Sequence, residues 1–167
     1  LSHYLAGDEQ AIDINQLSIP NAADTTMFEQ HGLLCPTELT PQEGDMARLA
    51  LYRCLGLQGT TQWLKIHDAF RRISSGEWLC PPEVRRSAVY LVRHPADVAI
   101  SFGYHFGMAT PDVVEFMSRP DATIGRKSRL QFAQVLQSWS QHVESWRGQT
   151  DIPVVLMRYE DLLLDPV

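Results

Sequence analysis

Three short segments hold side chains whose types and spacing could do chemistry. In Lys65-Ile66-His67 an ammonium and an imidazole stand two residues apart, and in an extended chain such residues project to one face. Lysine stabilises negative charge on a transferring group, and histidine is the usual general base near neutral pH. In Arg93-His94-Pro95-Ala96-Asp97-Val98-Ala99-Ile100-Ser101, Pro95 suits the first position of a helix and Ser101 lies about two turns into it. A guanidinium at a strand tip and a hydroxyl on the next helix can grip one phosphate, aided by the positive end of the helix dipole. The same residues allow a plainer arrangement, with Arg93 paired to Asp97 and Ser101 bonded to its own backbone. The third segment is Arg158-Tyr159-Glu160-Asp161-Leu162. At a strand end the Tyr159 ring can lie beside a flat base, or simply pack the helix that follows.

The elements that must position these groups follow from apolar patterning. Gln62-Trp63-Leu64-Lys65-Ile66 reads as a short strand. Ala88-Val89-Tyr90-Leu91-Val92 and Pro153-Val154-Val155-Leu156-Met157 read as buried strands. Thr40-Pro41-Gln42-Glu43 combines a cap, a first-position proline and a capping-box glutamate. A helix should follow through Met46, Leu49, Ala50 and Cys54, with Gly56 ending it. A second helix runs from Pro95 through Val98, Ala99, Phe102 and Phe106, and Thr110-Pro111-Asp112 starts a third. Phe132, Leu136, Trp139, Val143 and Trp146 recur at helical steps, which predicts one long helix over 126–146 with these residues on a packed face. Residues 8–40 read as loops with short helices, and 71–86 as a loop broken by Gly76 and Pro81-Pro82. Alternating strands and helices predict an α/β fold, a central parallel sheet between two helical layers. Ligands then bind beyond the carboxyl ends of the strands, where Lys65, His67, Arg93 and Tyr159 would converge.

Composition narrows the options. The chain has 167 residues, 44% hydrophobic and 20% charged, which suits one compact domain over 1–167. A net charge of −6 disfavours nucleic acid or an anionic membrane as partner but leaves room for a locally positive pocket. Cys35, Cys54 and Cys80 are odd in number and scattered. That argues against a disulfide framework or a structural zinc and for a reducing compartment, the cytoplasm. No histidine falls in metal-ligand spacing, so no metal is expected. No apolar run approaches the ~20 residues needed to span a bilayer. LSHYL at the start reads as the tail of a helix rather than a secretory signal, and both ends of the chain look cut. The oligomeric state is not readable.

From about residue 60 onward the chain resembles the sulfotransferases that use 3′-phosphoadenosine 5′-phosphosulfate. Tyr90-Leu91-Val92-Arg93-His94-Pro95-Ala96-Asp97-Val98-Ala99-Ile100-Ser101 is similar to the family's 3′-phosphate-binding segment. Leu64-Lys65-Ile66-His67 is similar to its catalytic strand. Ser138-Trp139-Ser140-Gln141-His142-Val143-Glu144-Ser145-Trp146 resembles its long helix, and Met157-Arg158-Tyr159-Glu160-Asp161-Leu162 its following strand end. The resemblance implies a fold like that of the P-loop nucleotide hydrolases and a small-molecule acceptor bearing a hydroxyl or amine. It implies that Arg93 and Ser101 hold the 3′-phosphate, that His67 takes the acceptor's proton, that Lys65 sits near the sulfuryl group and that Tyr159 lies near the adenine. His94 stands where the family usually has asparagine. Neither the family's phosphosulfate-binding turn nor its later basic loop occurs in these residues, so the piece by itself is expected to be inactive. Two other readings stay open: a nucleotide kinase of related fold, and a non-catalytic domain that binds an adenine nucleotide or a protein.

Overall fold

In the computed structural model the chain is described over residues 19–31, 39–125 and 130–164. The expected helix tail at LSHYL, most of the region 8–40, Cys35 and the start of the helix expected at Arg126 lie outside these residues. The described elements run in the order α1 (Thr25–Gln30), α2 (Pro41–Leu57), β1 (Ala88–Val92), α3 (Pro95–Phe106), α4 (Thr110–Ser118), β2 (Thr123–Ile124), β3 (Gln134–Val135), α5 (Trp139–Arg147), β4 (Val154–Arg158) and α6 (Tyr159–Leu164).

The chain is a mixed α/β structure. Strands β1 and β4 pair in parallel, Ala88 opposite Val154 through Val92 opposite Arg158. Both strands therefore finish at one edge, where Arg93 and Tyr159 follow directly. Strands β2 and β3 form a separate antiparallel pair. The two parallel strands were expected to be fully buried. Instead Leu91, Val155 and Leu156 are exposed, because each strand has one neighbour among the described residues. The extended stretch expected at Gln62–Ile66 makes no ladder with β1. Lys65 forms a lone parallel bridge with Asn21, through Lys65 N–H to the carbonyl of Pro20 and Ala22 N–H to the carbonyl of Lys65, both 2.9 Å. Its alternation survives all the same: Leu64 and Ile66 pack on the core while Lys65 is exposed.

Helix α2 lies at the centre. Thr40 and Glu43 form the full capping box, and Pro41 fills the first turn. Leu49 and Tyr52 pack with Ala22, Ile73 and Leu79 on one side. Leu51 and Leu55 pack with Ala23, Phe28 and Phe132 on the other. Gly56 does not end this helix, which continues to Leu57. Glycine is required there by packing, since a Cβ would collide with the side chain of Val84. The long helix expected over 126–146 begins only at Trp139. Ser138 and Gln141 make a second capping box, and Gln137 just before it holds a left-handed φ of 63°, which no helix accommodates. Phe132 belongs to an extended segment and packs on Phe28 with ring centroids 4.4 Å apart. Helix α3 starts at Pro95 as expected and closes on left-handed Gly107. Helix α4 includes Thr110, so Ala109 rather than Thr110 is the cap.

A charged cluster is buried in this core. Arg48 of α2 is completely buried and bonds Asp68 at 2.6 Å. Asp68 also accepts from Arg71 at 3.0 Å and from the backbone N–H of Val135 at 3.0 Å, and Arg71 forks onto Asp45 with two contacts of 2.8 Å. Burial alone would push the Asp68 carboxyl up. The Arg48 charge and hydrogen bond, then Arg71 and the Val135 N–H, outweigh it and hold the group below the ordinary aspartate range. Breaking a buried pair leaves an uncompensated charge, so Arg48→Ala should cost about 3–5 kcal/mol. Thr40→Ala, which removes only a cap, should cost about 1 kcal/mol. Urea unfolding of the two variants checks the ranking; equal losses would show that the cluster contributes nothing beyond packing.

Candidate active site

The segment 65–70 carries Lys65 and His67 and is tied down on three sides. Its start is bridged to residues 20–22, as above. Its middle is held by the Asp68 carboxylate and by the bond from Ala69 N–H to the carbonyl of Val135, 2.9 Å. Its third support is one face of α5. His142 Nε2 donates to the carbonyl of His67 (3.1 Å), Trp146 Nε1 to the carbonyl of Asp68 (3.1 Å), and Phe70 N–H donates to Ser145 Oγ (3.0 Å). Positions 142, 145 and 146 are neighbours on a helix surface, so one face of α5 binds the backbone of His67 through Phe70.

Lys65 and His67 are brought together. Burial chiefly, then the Lys65 ammonium, depresses the His67 pKa below its ordinary value, with a smaller push from His142 and an opposing pull from Asp68. His67 is therefore a neutral imidazole at pH 7, half-buried, beside an exposed ammonium.

Arg93 and Tyr159 meet at the carboxyl edge of the parallel strands, and Ser101 lies about two turns into the helix that follows Arg93. The Arg93 guanidinium lies over the Tyr159 ring, 4.7 Å from its centroid. Its Nε is 3.8 Å from Asp97, too far for a hydrogen bond, and is a buried N–H with no hydrogen-bond partner among the described residues. Asp97 and Ser101 are one turn apart on α3, on one face of the helix. Ser101 itself is exposed. The plainer reading of Arg93, paired with Asp97, therefore holds as a loose ion pair at 3.8 Å, without a hydrogen bond at Nε. His94 caps α3, its Nδ1 accepting from Ala96 N–H at 3.3 Å, and its own N–H donates to Glu160 at 2.7 Å. The imidazole thereby does the capping that an asparagine does well, and Glu160 ties the starts of α3 and α6 together.

The profile of the sulfotransferase domain family matches residues 70–167, more than half of the chain. The chain belongs to the sulfotransferase domain family. No curated protein matches it. The matched span of this sulfotransferase domain holds Arg93, Ser101, His142 and Tyr159, with Lys65 and His67 just before it. Phe70 packs on Trp78 and Trp146. Phe106 packs on Phe102, itself stacked on Phe116, and Tyr104 is exposed. Among the described residues no cluster of His, Cys, Asp or Glu could hold a metal ion, and no helix is long and apolar enough to cross a membrane.

Sequence reasoning missed Asp68, Arg48 and the α5 face. The pattern His142-x-x-Ser145-Trp146 was visible, but its apolar neighbours suggested core packing. Burial chiefly depresses His142 as it does His67. For a depressed imidazole the unfolded chain takes the proton first, so the stability it contributes is complete above pH ~6.5 and is lost as pH falls through that value toward the folded-state pKa. Urea midpoints should therefore drop between pH 7.5 and pH 5.5, and the drop should shrink in His142→Gln. A midpoint unchanged across that window would contradict the buried neutral state of both rings.

Proposed function

We propose that this sulfotransferase domain moves a sulfuryl group from 3′-phosphoadenosine 5′-phosphosulfate to the hydroxyl or amine of a small-molecule acceptor. The observation that carries the reading is the Arg93 guanidinium, stacked over Tyr159 at the N-terminus of a twelve-residue helix and at the carboxyl edge of parallel strands, its Nε–H without a hydrogen bond and only loosely ion-paired to Asp97. A cationic N–H that makes no hydrogen bond, at a positive helix end, has capacity for an anion. Arg93 and the Ser101 hydroxyl would hold the 3′-phosphate, and Tyr159 would lie near the adenine. The parallel pair would be part of a three-layer sheet like that of the P-loop hydrolases, in a protein of the cytoplasm.

Sulfuryl transfer resembles phosphoryl transfer in being mostly alignment and charge stabilisation. The acceptor oxygen or nitrogen attacks sulfur as its proton passes to the neutral imidazole of His67. The new bond to sulfur forms while the bridging bond between sulfur and the phosphate oxygen breaks. Lys65 meets the negative charge that grows on that oxygen, and 3′,5′-adenosine bisphosphate leaves. Burial and the Lys65 charge keep His67 unprotonated, which is the form a base needs.

Two measurements on the full-length protein test this. His67→Ala should lower kcat about 100-fold or more with the sulfated donor, while leaving affinity for 3′,5′-adenosine bisphosphate within about twofold by calorimetry. Arg93→Ala should weaken that affinity about tenfold or more, as expected on losing a charge-assisted bond. Retained turnover in His67→Ala removes it from the base role. A preference for a magnesium–triphosphate complex over the bisphosphate would favour a kinase, and binding without turnover a non-catalytic nucleotide domain.

A further inference from the structure

The two halves of the site lie on different stretches of chain, and a short polar relay joins them. His142 Nε2 is 3.1 Å from the carbonyl of His67, and His142 Nδ1 is 2.9 Å from the hydroxyl of Tyr90. A carbonyl can only accept, so Nε2 carries the hydrogen. Nδ1 of the neutral ring then presents a lone pair, and the Tyr90 hydroxyl donates to it. Burial pushes Tyr90 up to about 12, so its hydroxyl keeps its proton. The ring has little freedom to turn, since Tyr90 stacks on His142 with centroids 5.7 Å apart and on Trp146 at 6.0 Å. Tyr90 sits in β1, three residues before Arg93, which places the relay about 10 Å along the strand from the guanidinium.

We infer that His142, held in one tautomer by Tyr90, is a positioning residue that fixes the backbone of His67, and so its imidazole, relative to the strand that bears Arg93. The inference rests on the reading of His67 as general base. Capturing the carbonyl of residue 67 limits rotation about the peptide that follows its Cα, the same Cα from which the base projects. The relay thereby couples the place where the acceptor is deprotonated to the place where the nucleotide is gripped. Lys65, Asp68 and His142 are the titratable groups that act on His67, and Asp68 and the His67 carbonyl act on His142. Loss of the His142 ring, itself neutral, therefore acts on His67 by loosening its enclosure.

In the full-length enzyme His142→Leu should lower kcat roughly 10- to 100-fold, the cost of a base misplaced by about an ångström, with affinity for 3′,5′-adenosine bisphosphate unchanged. The acid limb of its kcat–pH profile should move upward, toward the ordinary imidazole pKa of ~6.5. His142→Gln, whose amide can donate to the same carbonyl, should recover most of the loss and leave the acid limb near the wild-type position. Tyr90→Phe should lower kcat less, because His142 then divides between tautomers, and ¹⁵N chemical shifts should report His142 as the Nε2–H form in wild type and as a mixture in Tyr90→Phe. A folded His142→Leu enzyme with wild-type kcat and acid limb, alongside an inactive His67→Ala, overturns the positioning role and leaves the base role standing. Turnover retained in His67→Ala overturns both. If His142→Leu fails to fold, the tautomer measurement decides: an Nδ1–H form in the wild-type protein overturns the inference.

Discussion

The structure depends on one buried carboxylate. Asp68 follows His67 directly and is almost wholly enclosed, yet it is held as an anion by Arg48, Arg71 and the Val135 N–H. A buried charge of this kind is costly unless every lone pair finds a partner, so its partners have little freedom to drift. Through them α2, strand β3 and the segment 65–70 are locked into one arrangement. The residue that sits in the core and the residue proposed to act as base are adjacent, so the fold's most constrained point lies one residue from its chemistry.

The opposite wall of that segment is α5, which holds it chiefly by main-chain atoms, with the Phe70 ring against Trp146 beside them. His142, Ser145 and Trp146 engage the backbone of residues 67, 68 and 70. A clamp on backbone atoms tolerates changes in the clamped side chains, and fixes the path of the chain whatever those side chains are. The Arg93 side is built differently. There the parallel pairing of β1 with β4 delivers Arg93 and Tyr159 to one edge, and the Glu160 bond to the His94 N–H holds the following helices together. One half of the site is fixed by a buried charge and a helix face, the other by strand register, and Tyr90 belongs to both.

Local signals in the sequence carried far. The capping box at Thr40 and Glu43, the proline start of α3, and the two apolar strands with polar tips all appear where local chemistry puts them. The pairing of Arg93 with Tyr159 follows from parallel strands ending at one edge, which strand and helix alternation implies. The failures share a cause. Phe132 and Leu136 match helical spacing but lie upstream of a left-handed Gln137 and a second capping box at Ser138 and Gln141, a stop signal present in the sequence and outweighed by apolar periodicity. Gly56 resembled a terminator because its tight approach to Val84 is a tertiary fact. Asp68 was silent because Arg48 and Val135 lie 20 and 67 residues away, and no local pattern encodes such partners. The role of His142 was hidden likewise, since its acceptor is a backbone carbonyl 75 residues distant.

The most direct test is a crystal structure of the protein with 3′,5′-adenosine bisphosphate bound. The account predicts the 3′-phosphate within hydrogen-bond distance of both the Arg93 guanidinium and the Ser101 hydroxyl, the adenine beside Tyr159, and the 5′ end directed toward Lys65 and His67. A nucleotide bound elsewhere, with Arg93 still over Tyr159 and making no contact to phosphate, would contradict it.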